Sequence, residues 1–240
     1  MTDVTIGVLC LETSFTKLPG HIRNPSTFDF PVAYQVVAGA TPERVVHQAD
    51  PSLVEPFRRA ARELESAGVA AITSGCGFLV LFQRELAEAV GVPVFASSLV
   101  QLPTVYRMLR PDQRIGLLVA DSRSLTPRHL AAVGAETIPV CVAGMADQPE
   151  FREVVLDGRR DEIDADRLEC ETLREVDRLV RDNPDLGAIV IECTDLVPFA
   201  HAIQARAGVP VFDVVTLTNL VYHSLTRQPF ARAAEWPRRK

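Results

Sequence analysis

Residues 71–95 read AITSGCGFLVLFQRELAEAVGVPVF, and residues 188–212 read AIVIECTDLVPFAHAIQARAGVPVF. Laid over each other without a gap, they agree at eleven of 25 positions. Ala71-Ile72 falls on Ala188-Ile189, Cys76 on Cys193, Leu79-Val80 on Leu196-Val197, Phe82 on Phe199, and 91–95 on 208–212. Two buried strand–helix–strand units share composition and could match by accident. Eleven identities in register favour a duplicated unit instead. A weaker echo pairs Ile6-Gly7-Val8-Leu9 with Ile115-Gly116-Leu117-Leu118.

The chain around this repeat alternates short apolar, β-branched runs with amphipathic segments. Strands are expected at 4–9, 70–73, 92–95, 114–119, 136–140, 188–191 and 209–212. Helices are expected at 52–67, 78–90, 99–109, 126–133, 195–207 and 215–225, with one or two more across the charged stretch 147–180. The segment 12–31 is polar and proline-rich, and Pro19-Gly20 and Asn24-Pro25 mark turns in it. A loop of that length in a compact protein usually serves function. The pattern predicts an α/β protein of two similar flavodoxin/Rossmann-like lobes with mostly parallel sheets. A pseudo-twofold axis would relate the lobes, and the active site would lie in the cleft at the carboxyl ends of the strands.

The 240 residues suit one large or two small domains, and 47% of them are hydrophobic. The net charge of −6 argues against a nucleic-acid partner, and Arg238-Arg239-Lys240 reads as a solubilising end. No apolar run reaches membrane-span length, and residues 1–6 do not resemble a signal peptide. The five cysteines are odd in number and widely scattered, which predicts free thiols and a reducing, cytoplasmic setting. The five histidines are dispersed, so no zinc site is expected, and there is no P-loop. Lys17 and Lys240 are the only lysines, one in a loop and one terminal, which makes a pyridoxal phosphate Schiff base a poor expectation. No metal and no organic cofactor is predicted.

The repeat places one cysteine at the same point of each lobe. Cys76 and Cys193 each follow a strand and precede a helix. A helix N-terminus favours an anion and so a thiolate. Two thiols facing each other across a cleft suit proton removal on one face of a carbon and delivery on the other. The competing reading is a pair of small buried hydrophobes. Their equivalent positions favour chemistry.

With these residues in place, the chain resembles the aspartate/glutamate racemase superfamily. The motifs carrying the resemblance are Thr73-Ser74-Gly75-Cys76-Gly77 and Glu192-Cys193-Thr194-Asp195, together with the length and the two-lobe repeat. The resemblance implies a cofactor-independent racemase or epimerase of an amino acid or related carboxylate, with Cys76 and Cys193 as acid and base. It makes Thr194 a ligand for the substrate carboxylate. It also sends the final helix back to the first lobe, giving lobes of 1–98 plus 214–240 and 99–213, and suggests a homodimer. Racemases of this kind usually carry Asn-Thr after the first cysteine, where this chain has Gly77-Phe78. Backbone N–H groups would then bind substrate at that point, with Phe78 as an aromatic wall. Alternatives on the same scaffold are a decarboxylase or cis–trans isomerase of a dicarboxylate, and a non-catalytic small-molecule binder.

The long loop offers Ser14, Arg23, Asn24 and Thr27 for substrate contacts. Its Asn24-Pro25-Ser26-Thr27 run reads equally well as a plain turn. The counterpart stretch in the second lobe offers Ser122 and Ser124, or simply a helix cap. Glu192, next to Cys193, would raise that thiol by its charge if it faced the same way. No role is expected for Cys10, Cys141 or Cys170.

Overall fold

The computed structural model describes residues 4–229. The cluster at 238–240, the second lysine and the ends of the predicted first lobe lie outside them. The elements in chain order are β1 (Ile6–Cys10), β2 (Val32–Val36), α1 (Val54–Ser66), β3 (Ala71–Ser74), α2 (Gln83–Ala89), β4 (Val94–Phe95), α3 (Leu102–Met108), β5 (Arg114–Val119), α4 (Pro127–Ala131), β6 (Val140–Gly144), α5 (Pro149–Phe151), α6 (Ala165–Asp182), β7 (Leu186–Ile191), α7 (Ala200–Ala207), β8 (Val211–Phe212) and α8 (Val214–Leu225).

The strands form two four-stranded, all-parallel sheets, ordered β2-β1-β3-β4 and β6-β5-β7-β8. The repeat is visible in the pairing itself. Ile72 pairs with Val94 in the first sheet, and Ile189 pairs with Val211 in the second. The echo between Gly7 and Gly116 has a packing cause. A Cβ on Gly7 would lie 3.0 Å from Leu64 Cδ1 of α1, and one on Gly116 would lie 2.7 Å from Leu179 Cδ2 of α6. Each central strand gives up a side chain so that a helix can press close.

Leu102 and Val105 of α3 pack with Ile115, Leu117 and Val119 of the second sheet. Leu217 of α8 packs with Ile6, Ala71 and Phe95 of the first. The lobes are also tied directly: Ser98 Oγ donates to the Ile191 carbonyl at 2.7 Å. No helix among the described residues is long and apolar enough to cross a membrane.

Three expectations about local structure need correction. The strand expected at 136–140 is β6 at Val140–Gly144, because Pro139 has no N–H to donate to a ladder and the pairing starts beyond it. β2 went unforeseen, since it is an edge strand with Tyr34 and Val36 exposed and shows no buried apolar run. The helices expected from 78 and 195 open as 3-10 turns, Gly77–Phe82 and Thr194–Phe199, before turning α-helical.

Candidate active site

Cys76 immediately follows the turn after β3, and Cys193 follows β7. Each is the residue from which a 3-10 turn starts. Both line one cavity. The loop after β1 supplies Leu11, Thr13, Phe15, Lys17 and Arg23 to the wall. The two cysteine turns supply 75–78 and 192–195, and Pro42, Val46, Ala120, Val155 and Leu156 complete it.

Burial pushes the Cys76 thiol up, and the Glu192 carboxyl pushes it further, against the N–H groups of Phe78 and Leu79. Burial, then Asp195 and Glu192, hold the Cys193 thiol well above its ordinary value, against the N–H of Asp195. At neutral pH both are therefore thiols. Glu192 itself is buried, and burial lifts its carboxyl to about 8 although the Ala120 N–H donates to Oε2 at 3.3 Å.

One charge network runs from the long loop to the second lobe. Lys17 Nζ lies 3.1 Å from Asp195 Oδ1 and 3.1 Å from the centre of the Phe15 ring. His21 is buried. Its Nδ1 accepts the Arg23 N–H at 2.9 Å, so the ring proton sits on Nε2, 3.3 Å from Asp195 Oδ1 and 3.2 Å from Thr194 Oγ1. Burial alone would raise the Asp195 carboxyl. Lys17 and His21 outweigh it and hold that group well below the usual carboxylate range. Burial lowers both Lys17 and His21, with Asp195 opposing.

Thr194, expected as a carboxylate ligand, lines the cavity, but its hydroxyl donates to the Gly75 carbonyl at 2.8 Å. That bond joins the two cysteine turns. Gly77 and Phe78 also line the wall. Phe78 is braced by the edge of His129, with ring centres 5.0 Å apart at 82°. His129 Nδ1 accepts the Thr126 N–H at 3.0 Å, and burial lowers the ring to about 4.

Three candidates stand elsewhere. Ser14 is exposed and bonds Asp161. Asn24 builds a turn: its Oδ1 accepts from the Ser26 N–H at 2.9 Å and its Nδ2 donates to the Lys17 carbonyl at 2.8 Å. Ser122 is exposed beside Gly144, in the turn that leads to α4. Thr27 Oγ1 donates to the His21 carbonyl, and Ser124 Oγ to Asp121. Sequence reasoning passed over Lys17, His21 and Asp195 as site residues. The available signal was a short stretch, 15–23, holding an aromatic ring and three basic side chains inside an otherwise turn-like loop.

No family model matches the chain. Among solved structures it is similar to allantoin racemase from Klebsiella pneumoniae, with a TM-score of 0.64 and 17% identity over 92% of this chain and 87% of that one. Glutamate racemase from Aquifex pyrophilus gives 0.55 and 14%, over 93% and 84%. The chain thus shares the fold of these racemases. Sequence relatives point to a different reaction. A dimethylsulfoniopropionate lyase from Durusdinium sp. clade D is 30% identical over 241 residues, 98% of this chain and 79% of its own length. Dimethylsulfoniopropionate lyase 3 from Emiliania huxleyi (strain CCMP1516) is 32% identical over 97% of this chain, which spans 62% of that relative's length.

These relatives overturn the expected activity. They carry the name of lyases of dimethylsulfoniopropionate, so the assignment as an isomerase, racemase or epimerase is withdrawn, and with it the alternatives of a dicarboxylate decarboxylase, a cis–trans isomerase and a non-catalytic binder. The error has a physical source. Paired thiols at strand ends suit proton transfer at carbon, but they do not reveal which substrate is bound. Despite its racemase fold, the chain belongs to the dimethylsulfoniopropionate lyase family.

Proposed function

We propose that the protein cleaves the carbon–sulfur bond of dimethylsulfoniopropionate, releasing dimethyl sulfide and acrylate. The observation that carries this reading is the placement of Cys76 and Cys193 on one cavity, in a chain related over 98% of its own length to a lyase of that name. In the proposed reaction one cysteine thiolate takes a proton from the carbon beside the carboxylate. The electron pair of that C–H bond becomes the new carbon–carbon double bond. The C–S bond breaks, and its electrons leave on sulfur, turning a sulfonium cation into neutral dimethyl sulfide.

A sulfonium beside the cysteine turns favours ionisation of Glu192, whose carboxylate in turn stabilises the cation. A sulfonium bound there lowers the thiols in turn and makes the base available when substrate is present. Leu11, Phe15, Phe78, Val155 and Leu156 give the cavity an apolar wall, the kind of surface that suits the two methyl groups.

The test is headspace detection of dimethyl sulfide from purified protein and dimethylsulfoniopropionate. Cys76→Ala and Cys193→Ala are each expected to reduce the rate, the base variant by about 10²- to 10⁴-fold. Release undiminished in both variants, or no release from the wild type, overturns the reading.

A further inference from the structure

We propose that Arg23 is the carboxylate anchor of this cavity and makes it select acids over neutral analogues; this rests on the elimination reading. Two cations line the wall, and they differ in one respect. Lys17 is neutralised by Asp195 at 3.1 Å. Among the described residues no carboxylate lies within ion-pair distance of Arg23. The cavity therefore holds one positive charge without a counter-charge, and it belongs to a guanidinium.

That guanidinium is set in place from three sides. Nη1 donates to the Thr13 hydroxyl at 2.8 Å and to the Leu11 carbonyl at 3.2 Å, which leaves the Nε–Nη2 edge for a ligand. The stem rests on the cysteine turn, since a Cβ on Gly75 would lie 3.2 Å from Arg23 Cδ. The backbone N–H is held by His21 Nδ1 at 2.9 Å, and His21 is in turn fixed against Asp195. A planar fork fixed in this way matches a carboxylate by two parallel N–H···O bonds.

Position gives the anchor its consequence. Gly75 is the residue before Cys76, so a carboxylate on Arg23 sits beside the turn that carries a thiol. Pairing with the guanidinium also offsets the negative charge that builds on the carboxylate as the neighbouring proton leaves. An amide in place of the acid forms no ion pair and loses both effects.

The experiment compares dimethylsulfoniopropionate with its primary amide in the wild type, Arg23→Gln and Arg23→Lys. The wild type is expected to prefer the acid. Arg23→Gln should lower kcat/KM on the acid by about 10- to 100-fold, mainly through KM, and collapse the acid-to-amide ratio. Arg23→Lys should recover part of the preference. Equal losses on acid and amide in Arg23→Gln would mark a structural role and overturn the proposal. A second arm uses propionate, which has no leaving group, and reads how far it slows alkylation of Cys76 and Cys193. Protection in the wild type and not in Arg23→Gln is expected. Equal protection in both, or none in either, overturns the anchor even if the wild type releases no dimethyl sulfide, a result that would sink the elimination reading alone.

Discussion

The carboxyl group of Glu192 fills the space that a side chain at Gly77 would need. A Cβ built there would meet Glu192 Oε1 and the Glu192 carbonyl oxygen, and would lie 2.8 Å from its Cδ. One of those obstacles is backbone and cannot swing away. The departure from the racemases' Asn-Thr is therefore enforced by the neighbouring lobe. The two cysteine turns touch here, and only glycine lets them.

Gly77→Ala should cost about 1–3 kcal/mol of stability through overpacking. It should also reduce dimethyl sulfide release, because the turn that displaces carries Cys76. Thermal unfolding and the rate assay check both. An alanine variant as stable and active as the wild type would mean that Glu192 relaxes freely.

Glu192→Gln should separate charge from shape. Burial lifts the Glu192 carboxyl to about 8, whereas its ordinary value is 4.5. The folded state keeps a proton that the unfolded chain releases, so the wild type loses stability as pH rises from about 4.5 to about 8. The amide does not titrate. The melting-temperature advantage of Glu192→Gln should accordingly grow between pH 5 and pH 8. The acid limb of kcat/KM should also shift to lower pH, because an ionised Glu192 raises both thiols.

Asp195→Asn should destabilise the fold by about 3–5 kcal/mol, since it leaves the buried Lys17 ammonium without its partner. Lys17→Met combined with Asp195→Asn should cost less than Asp195→Asn alone. Denaturant titration of the three variants measures the coupling, and strict additivity would contradict a real ion pair.

Alkylation by iodoacetamide should rank the thiols. Cys170 is exposed, whereas burial raises Cys76 and Cys193. At pH 7 Cys170 should react at least about tenfold faster than either cavity thiol, and the gap should narrow as pH climbs. Peptide mass spectrometry reads all three. A cavity thiol that outpaces Cys170 at pH 7 would contradict the electrostatics of the cavity.

The architecture was legible because duplication printed it twice. Ile72 and Ile189, with their partners Val94 and Val211, could be aligned before any pairing was known. β2 was not legible, because an edge strand with exposed Tyr34 and Val36 carries no apolar run. The cysteine turns were also readable, each lying between a strand and a helix. The loop's part of the cavity was hidden for a general reason. Lys17, His21 and Asp195 meet through a turn-rich path with no periodicity, and charge pairing over 178 positions leaves no mark in local sequence. The proposed activity was illegible because a leaving group belongs to the substrate, not to the protein.

The segment between β1 and β2 has one further meaning. The sheets, their strand orders and their cysteines are twofold copies, and a perfect copy would treat both sides of a bound molecule alike. An elimination has a direction: one end of the substrate is held and the other departs. Residues 11–31 break the parity, since they place Lys17 and Arg23 on the cavity and bring Lys17 and His21 against Asp195 of the other lobe. In engineering terms, the duplicated halves are the chassis and this segment, whose counterpart at 120–139 carries α4 instead, is the steering. Grafting or redesigning it is the economical route to a new preference on the same frame.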